Sequence, residues 1–381
     1  LLKNNLKIVA DENIPGLAAM FSGDVVLKQV AGRQMSANDV ADADLLLVRS
    51  ITQVDAALLD AAKHLKMVGT ATIGTDHLDK DYLASRSIPF FNAPGCNADA
   101  VVEYDLAVLF NLFEERGESL VDKTVGVVGV GNVGGRLCQR LEALGVKVLK
   151  NDPPRHAAGE SGFIALDEVF AQADVICLHT PLVKTGQWPS YHLVGDAELE
   201  RLKLGAVLLN AGRGPVIDNQ ALLGFLQQRT DVTAILDVWE HEPQVDATLA
   251  ERVHIATPHI AGYSLDGKLR GTHMLRQAAA TVLDAPQPPD LSEFLPVAAI
   301  NAVTVSDDIR ISALINMVYD PLHDDRRMRK TLMCGDQPVR FDLLRKQYPV
   351  RREFASLHVT GLRDQALKEQ LRAIGFSVDL A

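Results

Sequence analysis

The chain has 381 residues, too many for one ordinary hydrophobic core, so two or three domains are expected. With 47% hydrophobic and 23% charged residues it can bury enough apolar surface to fold, which excludes long disordered stretches. Its 38 basic against 49 acidic residues leave a formal charge of −11, which argues against nucleic acid or an anionic membrane as partner and still allows a small anion held by a few arginines.

Short β-branched or apolar runs at 7–10, 45–48, 66–69 and 88–91 alternate with helix-like stretches such as 55–62. That alternation predicts a parallel sheet wrapped by helices, and residues 1–97 are read as one α/β lobe. A long helix over 98–113 follows, with Val102, Leu106, Leu109, Phe110 and Phe113 on one face. It leads into a second series of strands at 124–130, 146–150, 175–179, 206–210, 233–238 and 254–257, so residues 98–263 form a second lobe. A return helix over 265–283 rejoins the first lobe, which is completed by 264–285.

Ala285-Pro286-Gln287-Pro288-Pro289 then reads as an extended connector. Beyond it, residues 286–381 are expected to form a small α+β domain with a strand at 303–305, helical pieces at 309–319 and 339–347, and a βαβ-like ending through Leu357, Leu367 and Leu371 to Val378. Cys96, Cys138, Cys177 and Cys334 form no CxxC pair and no zinc spacing with a histidine, so no metal site is expected. The N-terminal stretch has no apolar run of signal-peptide length and no later run is long enough for a bilayer, so a soluble cytoplasmic protein is expected.

In the second lobe a strand runs into Gly129-Val130-Gly131-Asn132-Val133-Gly134, a helix, a further strand and Asp152. Three glycines alone are weak evidence, but their context is that of a dinucleotide site. Gly129 would allow the tight turn, Gly131 the close approach of backbone to a pyrophosphate, and Gly134 the packing of helix on strand. The amides at the helix start, at Asn132 and Val133, would face the phosphates. Asp152, at the end of the next strand, is placed to accept from the adenosine ribose and to repel the extra phosphate of NADP, so NAD is the expected cofactor, with Arg155 nearby as the contrary signal.

Three further strands are followed by polar residues at their carboxyl ends, where open α/β sheets hold ligands: Arg213 in Asn210-Ala211-Gly212-Arg213-Gly214, Glu242 in Asp237-Val238-Trp239-Glu240-His241-Glu242-Pro243, and His259 in Thr257-Pro258-His259-Ile260-Ala261-Gly262. Oxidising a 2-hydroxy acid needs a base for the hydroxyl proton and a cation for the carboxylate. An imidazole can exchange a proton near neutral pH, a carboxylate beside it can orient it and favour its charged form, and a guanidinium offers a rigid fork for the acid.

The order and spacing of these segments resemble the D-2-hydroxyacid dehydrogenases over about three quarters of the chain. The resemblance implies a flavodoxin-like substrate lobe, a Rossmann lobe for NAD, and Arg213, Glu242 and His259 as catalytic triad. Glu242 is preferred over Glu240 because the family motif sets its acid directly before proline. Thr180, Ala211, Asp237 and Gly262 are implied as further cofactor contacts.

Asp11-Glu12-Asn13, Val48-Arg49-Ser50, the segment from Gly69 to His77, Ala93-Pro94-Gly95-Cys96-Asn97, Asp152-Pro153-Pro154-Arg155 and His259-Ile260-Ala261-Gly262-Tyr263 are similar to the branch that oxidises 4-phospho-D-erythronate at C2 on the way to pyridoxal phosphate. That branch implies a phosphorylated hydroxy acid as substrate, held by Ser50 and Thr72, with Arg49 adding charge and Tyr263 a hydroxyl. It also implies a homodimer formed through the C-terminal domain. A phosphoglycerate or glycerate enzyme would share the triad and cofactor loop. A non-catalytic NAD-sensing scaffold would share the fold, but the joint presence of Arg213, Glu242 and His259 argues against it.

Overall fold

The apolar runs of the first hundred residues become β1 (Leu2–Asp11), β2 (Gly23–Val30), β3 (Leu45–Val48), β4 (Met67–Thr70) and β5 (Phe90–Phe91) in a computed structural model that describes residues 2–379, with side chains described from Asn5 onward. The strand order is β2-β1-β3-β4-β5 and every pairing is parallel, the doubly wound order of flavodoxin-like sheets. All four residues of β3 and of β4 are buried, as a strand covered on both faces requires.

One face packs Leu6, Ile8 and Leu47 against Leu269, Leu275 and Ala279 of the helix Leu265–Val282. The other packs Val9, Leu46 and Val68 against Val40, Leu59 and Leu83. Each such buried aliphatic side chain contributes roughly 1.5–3 kcal/mol relative to exposure. Ser264 starts the helix, its hydroxyl accepting from the Gly267 amide at 2.8 Å. These elements make one compact unit, Leu1–Asn97 with Ser264–Val297. Strand β2 is an addition to the expected elements: it lies at the sheet edge with Val25 and Leu27 only half-buried, and Val25-Val26-Leu27 is too short an apolar run to announce it.

The second unit, Ala98–Tyr263 with Ala298–Ala381, begins with the helix Ala98–Glu115. Its main sheet holds β6 (Thr124–Val128), β7 (Lys147–Asn151), β8 (Val175–Leu178), β9 (Val207–Asn210), β10 (Thr233–Leu236) and β11 (Ile255–Ala256) in the order β11-β10-β9-β8-β6-β7, again all parallel. The chain leaves β6 toward β7 and then crosses back to β8 on the opposite side. That reversal creates a switch point at the carboxyl ends of β6 and β8, where such sheets bind ligands. Strands β6 and β10 stop two residues short of expectation, β6 because Gly129 turns the backbone at φ 86°.

In the C-terminal segment, β12 (Ala302–Thr304), β13 (His358–Thr360) and β14 (Ser377–Val378) form a parallel sheet, with the helix Gln365–Ile374 joining β13 to β14. Expected as a domain of its own, this segment keeps its own sheet but shares a hydrophobic core with the six-stranded unit: Leu314, Ile315, Phe354, Leu371 and Ile374 belong to one cluster with Leu106, Leu109, Leu137 and Leu141. A helix at Pro321–Leu332 is a further addition. Its buried face is Pro321, Asp324, Asp325, Met328 and Thr331, so a search for apolar periodicity passes over it, although Asp320-Pro321 is a sound start signal.

Among the described residues no helix is long and apolar enough to cross a membrane. The cysteines are free thiols, and burial pushes Cys138 up to about 12, which keeps it protonated and unreactive.

Candidate active site

Gly129, Gly131 and Gly134 form a turn with three different spatial demands. Gly129 has φ 86°, and a Cβ there would meet the Thr180 amide nitrogen at 2.7 Å. A Cβ on Gly134 would lie 2.0 Å from the Gly129 carbonyl oxygen, so helix Asn132–Ala143 can approach β6 only without it. Gly131, by contrast, has nothing within 4 Å of its Cβ position, so its backbone borders open space at the helix start. The Thr180 hydroxyl is buried beside this turn with no protein hydrogen-bond partner among the described residues.

Asp152 follows β7 and ties it to the turn: Oδ2 accepts from the Val130 amide at 2.8 Å and Oδ1 from the Arg155 amide at 3.1 Å. Arg155 donates to the Val130 carbonyl at 2.6 Å and through Nε to both oxygens of Glu160 at 2.9 and 3.0 Å. Its charge is thus matched by Glu160, and its guanidinium braces the glycine turn. Beneath the turn, Asp105 and His179 are a fully buried pair with Oδ2 and Nε2 2.9 Å apart. Burial raises the Asp105 carboxyl and the neighbouring imidazole opposes that rise.

Beyond β10, Asp237 leaves the ladder and its buried carboxylate organises the next loop. Oδ1 accepts from the Thr257 hydroxyl at 2.7 Å and the Ile260 amide at 2.9 Å, and Oδ2 from the Ala261 amide at 2.9 Å. The Asp237 carbonyl accepts the His259 amide at 2.7 Å. This dense hold matters because His259 sits at φ 58°, a left-handed conformation that costs a residue with a Cβ about 1–2 kcal/mol. The Thr257 hydroxyl is bonded in turn to the buried Tyr104 hydroxyl at 2.8 Å.

His259 Nδ1 lies 2.7 Å from Glu242 Oε2, while Glu242 Oε1 accepts from the Trp239 amide at 2.8 Å. Glu240 faces elsewhere: Oε1 is 2.6 Å from His192 Nε2 and Oε2 accepts from the Asn219 amide at 3.1 Å. His192 Nδ1 stands 3.5 Å from Asp218, so Asp218, His192 and Glu240 form a network separate from the His259–Glu242 pair.

Arg213 is exposed on a turn after β9. Asn210 staples that turn by donating to the Arg213 carbonyl at 3.0 Å and accepting from the Gly212 amide at 3.1 Å. Arg213 Nη1 donates to the Gly212 carbonyl at 2.8 Å. A Cβ on Gly214 would lie 1.9 Å from the Trp239 carbonyl oxygen, so this turn is pressed against the very segment that carries Glu242. Tyr263 meets Tyr348 edge-on with ring centroids 5.7 Å apart, and the Arg345 guanidinium lies 5.7 Å over its ring.

In the other unit, parallel register pairs Val48 of β3 with Thr70 of β4, which sets Arg49-Ser50 beside Ala71-Thr72 at the carboxyl ends of adjacent strands. The Thr72 hydroxyl is bonded to the Thr70 hydroxyl at 2.7 Å and donates to the Gly74 carbonyl at 3.0 Å. Thr70 is bonded in turn to His77 Nε2 at 2.9 Å. Sequence reasoning did not single out Lys268, whose ammonium is held below its ordinary range by desolvation from neighbouring protein and then by the charge of Arg49.

Two family profiles match: "D-isomer specific 2-hydroxyacid dehydrogenase, NAD binding domain" over residues 109–261, and a domain of unknown function, DUF3410, over residues 294–375. An erythronate-4-phosphate dehydrogenase of Pseudomonas fluorescens is 48% identical over 375 residues, covering 97% of this chain and 98% of the relative. One of Pseudomonas putida is 50% identical over 358 residues, covering 92% and 94%. Among solved structures, a D-lactate dehydrogenase with NAD+ from Lactobacillus jensenii superposes with a TM-score of 0.61 at 23% identity, covering 74% of this chain and 98% of that one.

Proposed function

The chain belongs to the erythronate-4-phosphate dehydrogenases, NAD-dependent enzymes among the D-isomer-specific 2-hydroxyacid dehydrogenases, and from that premise we propose that it oxidises 4-phospho-D-erythronate at C2 to (R)-3-hydroxy-2-oxo-4-phosphooxybutanoate, a step toward pyridoxal 5′-phosphate. The observation that carries the mechanism is the 2.7 Å contact between His259 Nδ1 and Glu242 Oε2 on a loop fixed by Asp237. With Nδ1 engaged, Nε2 is the nitrogen that takes the proton from the C2 hydroxyl. Glu242 orients the ring and stabilises the imidazolium as it forms. Arg213 grips the substrate carboxylate and polarises the oxygen that becomes the carbonyl. NAD, when bound, would supply the hydride acceptor for C2, and His259 takes the proton that the C2 hydroxyl gives up as the carbonyl forms.

The glycine turn suits that cofactor. The open space beside Gly131 leaves room for a pyrophosphate against the helix amides of Asn132, Val133 and Gly134, and the buried Thr180 hydroxyl offers a polar contact nearby. We assign Asp152 to the adenosine ribose, and Ala211, Asp237 and Gly262 to the remaining cofactor contacts. Because Arg155 is committed to Glu160 and Val130, it is a poor partner for a 2′-phosphate, which supports the use of NAD rather than NADP. Gly131→Ala and Gly134→Ala should separate the two roles of the turn. Both are expected to weaken NAD binding about 10–100-fold, but only Gly134→Ala should also lower the thermal midpoint. Unchanged NAD titrations for both would remove the turn from the site.

Ser50 and Thr72 are the candidate hydroxyls for substrate, with Tyr263 as a further one. We assign Arg49 to the phosphate, with Lys268, which feels the charge of Arg49, as a second cation near it. The test is a comparison of erythronate with its 4-phosphate. Charge-assisted hydrogen bonds contribute about 1.5–3 kcal/mol each, so removing the phosphate is expected to lower kcat/KM by roughly 100-fold or more. Equal kcat/KM for the two acids would transfer the chain to a different substrate within the family.

We further propose a cytoplasmic homodimer formed through the C-terminal segment. The free thiols fit a reducing compartment, and Met333, Val339 and Val350, 88%, 69% and 76% exposed, give that segment apolar surface to bury. A monomeric mass in solution would rule the dimer out.

A further inference from the structure

Arg351 belongs to the C-terminal segment, yet its side chain is buried in the six-stranded unit. Nη1 donates to the Ala261 carbonyl at 3.0 Å and Nη2 to the Ala100 carbonyl at 2.6 Å. One carbonyl lies two residues after His259 and the other in the first turn of the helix Ala98–Glu115, so the planar fork joins the histidine loop to that helix. The guanidinium stacks 3.8 Å from the centroid of the Tyr319 ring. That ring is itself fixed, since the Tyr319 hydroxyl donates to Asp324 Oδ2 at 3.1 Å and the Tyr348 hydroxyl donates to the same oxygen at 2.6 Å.

The loop therefore has two anchors: Asp237 takes its amides and Arg351 takes the Ala261 carbonyl. The two anchors act on different groups of the loop, its amides and a carbonyl. Together they fix both edges of the peptide chain that holds His259 at φ 58°.

We infer that Arg351 is a positioning residue for the oxidation, contributed by the C-terminal segment and acting on the proton transfer through the loop that presents His259. The inference rests on the reading of His259 as the base. It gives the C-terminal segment a part in each protomer's own chemistry, independent of any role in association. Arg351 touches no reacting atom. Its effect is to limit how far Nε2 strays from the substrate hydroxyl, where a displacement near 1 Å costs about 100-fold in rate.

The test uses the full chain with Arg351→Lys, Arg351→Met, His259→Asn, and the double variant Arg351→Lys/His259→Asn. Lysine keeps the charge but lacks the planar two-pronged fork that meets the Ala261 and Ala100 carbonyls from two separate nitrogens. Arg351→Lys is expected to lower kcat about tenfold or more while the NAD dissociation constant stays within about twofold, a split that general loosening would not produce. Once His259 is already absent, adding Arg351→Lys should change the residual turnover by less than about twofold, because the two act as one unit. Two results would overturn the inference: a kcat within about twofold of the parent in Arg351→Lys, or the same loss with and without His259. Should Arg351→Met fail to fold, the lysine variant still decides. Unchanged turnover in His259→Asn would overturn the assignment of the base and this inference with it, whereas a crippled His259→Asn beside a normal Arg351→Lys would overturn this inference alone.

Discussion

His259→Asn should lower kcat by about two to four orders of magnitude, the usual contribution of a general base, while NAD binding changes by no more than about twofold. Asparagine is the informative replacement because it tolerates the left-handed backbone that His259 adopts at φ 58°, as alanine does less well. A fall in turnover then reports the lost imidazole rather than a displaced loop. The loop's own hydrogen bonds, from the His259, Ile260 and Ala261 amides to Asp237, are all main-chain donors and survive the change. An asparagine variant that keeps the parental single-turnover rate with NAD and 4-phospho-D-erythronate would remove His259 from the proton transfer.

Arg213→Gln should lower kcat/KM by roughly 100- to 1000-fold, with Arg213→Lys recovering only part of the loss. The position of the guanidinium matters as much as its charge. Asn210 fixes the turn at both the Gly212 amide and the Arg213 carbonyl, and Gly214 rests so close to the Trp239 carbonyl that no side chain fits between. The guanidinium thus projects from a rigid base beside the segment that carries Glu242. One of its nitrogens is spent on the Gly212 carbonyl, and the remaining donors are available to a carboxylate. An ammonium supplies the charge but not the fork. If lysine and glutamine performed alike, or if neither moved kcat/KM by tenfold, the carboxylate would have to be held elsewhere.

The parallel sheets and the glycine turn were legible because their signals are local. Leu45–Val48 is an unbroken apolar run, Ala206-Val207-Leu208-Leu209 is another, and three glycines followed by a helix and Asp152 fall within one short stretch. The choice between Glu240 and Glu242 rested on a proline, and the geometry gives Glu242 the imidazole contact while Glu240 goes to His192 and Asn219. What the sequence concealed depends on distant partners. Asp237 was named for cofactor binding, but its three-point hold on the histidine loop requires knowing that β10 and β11 are neighbours. Arg351 reaches carbonyls 90 and 251 positions away, and nothing near it in the chain announces either. The helix Pro321–Leu332 buries Asp324 and Asp325, residues that hydropathy assigns to solvent.

The first unit is discontinuous, and that has a bearing on biosynthesis. Leu269, Leu275 and Ala279, which complete the core over Ile8 and Leu47, are translated only after the whole of 98–263 has been made. At roughly 5–20 residues per second, the ribosome takes about 10–30 s to supply them. Through that interval the face of the first sheet that carries Ile8 and Leu47 lacks the covering helix that completes its core. The second unit is divided too: 98–263 carries its main sheet in one stretch, but Leu314, Ile315 and Phe354, which share its core, are made later still.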